Sequence, residues 1–362
     1  MSSQSYSLKQ LALRKFKKNF LGVFSLCFIV LIGFVSIFAY VIAPDNSKYA
    51  NQMHLSIHSK KPGFTVDMLV IPSQRKENQN AFDKVFFGKE NTETEIPILE
   101  YKVENNKLIY SEYASDGVPG IEKSIKIDQM KGLEPFVKSK TFYFGTDKYG
   151  RDLLSRILVG ARISFFIGFV AVFISLVIGI FMGSLAGYFG GKVDAVIIWI
   201  INVTWSIPTL LLVIAITLAL GKGFWQVFIA VGLTTWVEVA RIVRGQIISV
   251  KEMQYVTAAR ALGFNDSRII TKHILPNIMA PIIVISAANF ASAILIESGL
   301  SFLGIGAQPP MASWGAMIKD HYNYIILGKP YLAIIPGLSI MSLVMAFMLV
   351  GNALRDALDV KS

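Results

Sequence analysis

Residues Ile163–Tyr188 read ISFFIGFVAVFISLVIGIFMGSLAGY, without one charged side chain. A helix needs about 20 predominantly apolar residues to cross the hydrocarbon of a bilayer, and this run exceeds that length. Further apolar runs occupy Phe20–Ile42, Val193–Leu220, Phe224–Arg244, Ile278–Phe302 and Tyr331–Leu354. Together they predict an all-α polytopic membrane protein with six transmembrane helices. The chain is 53% hydrophobic and 16% charged, whereas a soluble domain carries about 25% charged residues. Because the apolar residues gather in long runs, the solvent they imply is lipid rather than a soluble core.

The net charge of +11 is also clustered. Lys9, Arg14, Lys15, Lys17 and Lys18 precede the first run, and Arg241, Arg244, Lys251, Arg260, Arg268 and Lys272 share one later loop. Basic residues beside spans mark the cytoplasmic side. Six spans then bring both termini to that side, in a multi-pass protein of the cytoplasmic (inner) membrane. No nucleic-acid recognition module accompanies the charge, so no nucleic-acid partner is expected. Cys27 is the lone cysteine, which excludes an internal disulfide. His54, His58, His273 and His321 are scattered without zinc-like spacing, so no metal is expected. The run Phe20–Ile42 is too long for a signal-peptide core and lacks a small-residue cleavage site, so it is read as a retained first helix.

The connection between the first two runs far exceeds an ordinary loop, and its composition turns polar with both charge signs interspersed. Glu100–Glu104 and Lys107–Ser111 flank Asn105-Asn106, a hairpin signal. Val66–Ile71 and Ile121–Ile127 can add strands. The predicted organisation is therefore a cytoplasmic N-terminus and first helix (1–43), a small β-rich extracytoplasmic insert (44–141), and a five-helix core (142–362) with a cytoplasmic loop at 249–277. For the insert, a spacer, a docking surface, a gate cover and a solvated insertion all remain open.

Within the runs, Gly179, Gly183 and Gly187 recur every four residues, a spacing that lets helix backbones approach closely in lipid. Pro208 removes a helix hydrogen bond and predicts a kink in the third span, serving either a pathway or packing. Glu238, Arg241 and Glu297 lie in or near spans, where charges are costly. Glu238 and Arg241 can pair on one helix face or line a pathway.

The cytoplasmic loop is the most informative stretch. Glu252–Gly263 reads as a short helix built on Ala258, Ala259, Ala261 and Leu262, with Gly263 as a left-handed stop. Asn265, Asp266 or Ser267 can cap a second short helix that ends at Leu275-Pro276. Two short helices joined at a glycine make a compact knob; an interfacial amphipathic helix is the alternative. The stretch resembles the EAA motif of binding-protein-dependent ABC importers. Ala258, Ala259, Gly263, Leu275 and Pro276 match in register, whereas Thr257 stands at the acidic position and His273 at the isoleucine. The resemblance implies that Thr257–Pro276, Arg260 included, is the ATPase-coupling loop.

Two further blocks are similar to the oligopeptide/dipeptide/nickel permease family, nearest its C-type subunit. The first precedes the second span and contains Gly145, Thr146, Asp147, Gly150, Arg151, Asp152, Ser155, Arg156 and Arg162. The second is Glu297–Gly304 with Gln308-Pro309-Pro310 and Ser313-Trp314-Gly315. Physically, Asp147 and Asp152 can pair with the three arginines at the membrane surface, or the segment is solvated with snorkelling arginines. Trp314 is read as an interfacial anchor. The resemblance implies a non-catalytic subunit of a peptide importer. Its expected partners are a second homologous permease, two cytoplasmic ATPases and an extracytoplasmic binding protein, with ATP and Mg on the ATPases. This fits a chain without a Gly-x-x-x-x-Gly-Lys-Ser/Thr loop. Nickel or another small solute is the alternative cargo. A channel leaves the knob unexplained, and a membrane enzyme lacks a His/Asp/Glu constellation.

Overall fold

A computed structural model describes residues 8–72, 79–90, 93–115, 118–127, 136–221 and 223–358. The chain begins with the helices α1 (Leu8–Lys18), α2 (Phe20–Ile37) and α3 (Ala39–Ile42). A polar stretch follows with β1 (Phe64–Pro72), α4 (Ala81–Phe87), β2 (Glu93–Glu104), β3 (Lys107–Ser115), β4 (Val118–Lys126) and β5 (Val137–Phe142). Next come α5 (Leu153–Phe189), α6 (Gly191–Ser206), α7 (Thr209–Leu220) and α8 (Phe224–Val250). The short helices α9 (Gln254–Ala261) and α10 (Asp266–Arg268) lead to α11 (Met279–Phe302), α12 (Trp314–His321) and α13 (Tyr331–Leu358).

Among the described residues, α2, α5, α8, α11 and α13 are each long and apolar enough to cross a membrane, and the pair α6–α7 adds a sixth if counted as one span. That pair corrects the expectation of a single kinked helix. Its two halves meet at 93°, a break rather than a kink. Pro208 donates no hydrogen bond and drives the preceding residue out of the helical region; Ile207 sits at φ −96°, ψ 127°.

The chain forms two compact units. One comprises Met1–Ile32, Ser164–Gln308 and Ile340–Ser362; the other comprises Gly33–Ile163 and Pro309–Ser339. In the first, the glycine stripe of α5 lies on α8. A Cβ at Gly179 would stand 2.5 Å from the Val239 Cβ, and one at Gly183 would stand 2.5 Å from the Ala240 carbonyl oxygen. Each glycine thus marks a backbone contact that a larger residue would push apart. Replacing Gly183 by Leu should separate α5 from α8 at a cost of about 1–3 kcal/mol, the usual range for overpacking. A thermal-unfolding midpoint in detergent equal to wild type would contradict this packing. On the same helix Gly168 makes room for Phe290, whose ring stacks on Phe347 at 4.7 Å.

In the second unit, five strands form an antiparallel sheet of order β4-β3-β2-β1-β5. Asn105 and Asn106 take φ of 50° and 61°, the left-handed pair a two-residue hairpin requires, and Glu104 faces Lys107 across it. The sheet buries side chains on both faces. Ile57, Val66, Met68, Tyr113 and Phe142 form one small core, and Leu69, Ile98, Leu108 and Tyr110 form another. β5 and α4 carry no hairpin signal or alternating pattern, and they add to the expected strands.

Candidate functional site

The loop between α8 and α11 is built as two short helical pieces around one left-handed residue. Gly263 has φ +74°. Its N–H donates to the Arg260 carbonyl at 3.0 Å, and the Phe264 N–H donates to the Ala259 carbonyl at 3.2 Å. This pair of bonds is a Schellman stop. Asn265 then caps α10, its Oδ1 accepting the Arg268 N–H at 2.9 Å. The chain continues as a wide turn over Ile269–Ile274 and a tight one over Leu275–Asn277.

The knob has a greasy underside and an open top. Val256, Ala259, Ile269, Ile270, Ile274 and Ile278 are buried in one cluster with Tyr188 from α5 and Val239, Val243 and Ile247 from α8. The Tyr188 hydroxyl donates to Asp266 Oδ1 at 2.6 Å, and the Arg260 guanidinium lies over the Tyr188 ring. On the other side Thr257, Ala258, Arg260, Ala261 and Gly263 are exposed, and Leu262 is 73% exposed. Thr257 turns its hydroxyl back to the Met253 carbonyl at 3.4 Å and brings no charge to that face. His273 is half-buried and stacks on Phe264, over which Arg268 also sits. Leu275 is half-buried and Pro276 exposed. Beside them Asn265, Ser267, Arg268, Thr271, Lys272 and His273 rim an open depression of about 580 Å³.

The block before the second run is a buried polar hub rather than a solvated surface. Asp147 has no exposed side-chain area. Its Oδ1 accepts the Tyr149 and Arg151 N–H groups at 2.8 and 3.0 Å. Its Oδ2 takes the Arg151 Nε at 2.6 Å and lies 3.8 Å from the Arg156 Nε. Arg151 also reaches Asn51, and Arg156 the Tyr49 carbonyl. The expected pairing fails for Asp152 and Arg162. Asp152 instead caps the first turn of α5 through the Ser155 N–H at 2.9 Å, the Ser155 hydroxyl also donating to it. Arg162 donates to the Phe86 carbonyl at 2.7 Å and covers the Tyr40 ring. Gly145 and Gly150 have φ of +78° and +74°, and a Cβ on either would collide with the Lys60 or His54 carbonyl. Thr146 accepts the Lys60 N–H at 2.9 Å. Trp314 is 2% exposed and donates its indole N–H to the Ile157 carbonyl at 2.9 Å. It is a core residue, which corrects its reading as an interfacial anchor.

His321, which belongs to no motif, lies at the edge of this hub. It is fully buried; its Nδ1–H donates to the Met317 carbonyl at 2.7 Å, and its Nε2 accepts the Lys148 N–H at 3.3 Å. That arrangement needs the neutral ring. Burial pushes the His321 imidazole below its usual range, and burial with Lys140 does the same for His54. The unfolded chain takes up these protons near pH 6.5, the folded chain only at lower pH. Stability is therefore full above about pH 6.5 and falls as the pH drops through it. Thermal unfolding between about pH 8 and pH 5 should show that decline, and His321→Gln should flatten it. A wild-type profile flat across the range would contradict the neutral, buried assignment.

The intramembrane charges do not pair as proposed from their spacing. Glu238 and Arg241 form no ion pair; the Arg241 guanidinium lies 3.8 Å from the centre of the Trp205 ring. Arg244 takes the ion-pair role with Asp194, through bonds of 2.5 and 2.6 Å. Glu297 is buried and accepts the Ser301 hydroxyl at 2.7 Å. The Asp194–Arg244 and Tyr188–Asp266 contacts carry no signal in the spacing, because each joins residues on different helices, beyond any i, i+4 rule.

The chain matches two known family descriptions. "Binding-protein-dependent transport system inner membrane component" matches residues 160–361, and "N-terminal TM domain of oligopeptide transport permease C" matches residues 7–62. An oligopeptide transport system permease protein of Bacillus subtilis (strain 168) is 42% identical over 223 residues, which cover 62% of this chain and 73% of that protein. A dipeptide transport system permease protein of the same organism is 43% identical over 223 residues, 62% of this chain and 70% of that one. A glutathione transport system permease protein of Pectobacterium atrosepticum is 41% identical, covering 62% and 74%. A methionine ABC transporter solved in inward-facing conformations has a TM-score of 0.47 and 18% identity, over 56% of this chain and 95% of that chain.

Proposed function

This chain belongs to the family of binding-protein-dependent transport system inner membrane components, and from that premise we propose that it is the C-type permease subunit of an ATP-driven importer that passes peptides across the cytoplasmic membrane. The peptide class is supported by relatives named for oligopeptides, dipeptides and glutathione. The complete importer would hold a second homologous permease, two ATPases and an extracytoplasmic binding protein. ATP and Mg would be bound and turned over on the ATPases, with this subunit doing no chemistry. Both termini and the loop at 249–277 would face the cytoplasm, in line with Lys15, Lys17 and Lys18 at the end of α1.

The observation that carries the coupling role is the two-sided knob. Its underside shares one buried cluster with α5 and α8, and packed interiors transmit displacement rather than absorb it. Its top offers exposed Ala258, Ala261 and Leu262. Closure of the ATPases on ATP would push this top, and the shared core would carry the movement into the spans as a rigid-body shift.

The test uses Gly263. Space around it is open, but its φ of +74° is strained for any residue with a Cβ. Asn tolerates this region, and a β-branched residue there costs about 1–3 kcal/mol. Gly263→Asn should retain the ATPase subunits on co-purification from membranes, and Gly263→Val should lose them while the permease still inserts. Equal retention in both variants would refute the coupling assignment.

A further inference from the structure

We propose that Glu238 is a binding subsite for a positively charged group of the translocated solute, such as the terminal ammonium of a peptide. The inference rests on the permease reading above and deepens it to one residue.

Helix α8 is the most deeply packed of the candidate spans, with 67% of its apolar window buried. Toward its C-terminal end it leaves open a narrow stripe, running through Glu238, Arg241 and Gly245. Glu238 is the only acidic residue of the helix, and it lies on this stripe. Among the described residues it has no hydrogen bond or ion pair. The nearby cations are occupied elsewhere: Arg241 over Trp205 and Arg244 by Asp194. An ionisable side chain held open within a span, without a protein partner, faces a wet path or a partner rather than lipid.

The break between α6 and α7 points the same way independently. Ser206, Ile207, Pro208 and Thr209 are all exposed, and Ile207 is extended. Non-helical backbone at membrane depth is tolerated only where it is covered by protein or lines an aqueous cavity. α7 packs along α8, and the Arg241–Trp205 contact joins the last turn of α6 to the stripe. An uncompensated carboxylate and an arginine held flat on an indole therefore share one face of α8, and that indole belongs to the last turn before the broken backbone. Charge complementarity assigns the carboxylate an ammonium. An arginine already engaged on Trp205 leaves it free to receive one.

The experiment uses the assembled importer in proteoliposomes with its binding protein and labelled trialanine as probe. ATP-dependent uptake by wild type comes first; its absence would count against the permease reading itself. With uptake established, Glu238→Gln should lower the rate at least tenfold, and Glu238→Asp should restore it to within about threefold. A Glu238→Gln rate equal to wild type, or equal loss in both variants, would overturn the subsite. In a Cys27→Ser background, Glu238→Cys should react readily with a water-soluble thiol reagent. An unreactive cysteine would also overturn it, since that places the position in lipid or under a neighbouring subunit.

Discussion

Asp147→Ala should destabilise the protein by about 3–5 kcal/mol, the loss expected when one partner of a buried ion pair is removed. The carboxylate is buried, and it holds two backbone N–H groups as well as Arg151 and Arg156. Both arginines are only 3% exposed. Deleting the acid leaves two cations in a site they cannot leave without opening the loop. Asp147→Asn keeps an oxygen for the backbone donors and loses only the charge, so its loss should be smaller. The check is thermal unfolding of the solubilised protein, in the order wild type, Asn, Ala. An Ala variant as stable as wild type would mean that the hub is wet and the pairs are of surface strength.

Leu262→Asp should have the opposite signature: no loss of stability and a large loss of partner. The side chain is 73% exposed, so folding gains little from it. As an apolar residue at the centre of the proposed docking face, it should be worth about 2 kcal/mol to the complex, a factor of about thirty in affinity. ATPase retained per permease should fall accordingly at limiting subunit concentration, with an unchanged unfolding midpoint. Retention at the wild-type level would remove the knob's top from the interface. A fall in the midpoint would instead make Leu262 a folding residue.

Features carried by local chemistry were legible in the sequence. The apolar runs follow from bilayer thickness, the hairpin from Asn105-Asn106, and the end of α9 from Gly263. The glycine stripe of α5 announced close packing, though not that α8 was its partner. Pro208 was read with the right mechanism and too small a consequence. Nothing in an apolar run says whether neighbouring helices will hold a proline-weakened segment straight, and here they do not. The misreadings share one cause. Trp314, Arg162 and Arg241 were assigned from sequence neighbours and generic membrane tendencies, whereas their partners are Ile157, Tyr40 and Trp205. Amphipathic side chains choose among solvent, interface and core by what the tertiary fold brings to them, and spacing does not record that choice. β5 escaped notice because Val137–Phe142 is largely polar; it is a strand through its antiparallel pairing with β1.

ATP-driven accumulation decides whether this chain is an importer subunit. The permease pair, the ATPases and the binding protein are reconstituted with ATP enclosed on the ATPase side, and labelled peptide is supplied on the other. An importer subunit gives uptake above the external concentration that requires ATP, the binding protein and this subunit together. Peptide equilibration without ATP, or no uptake by the complete assembly, would contradict that role.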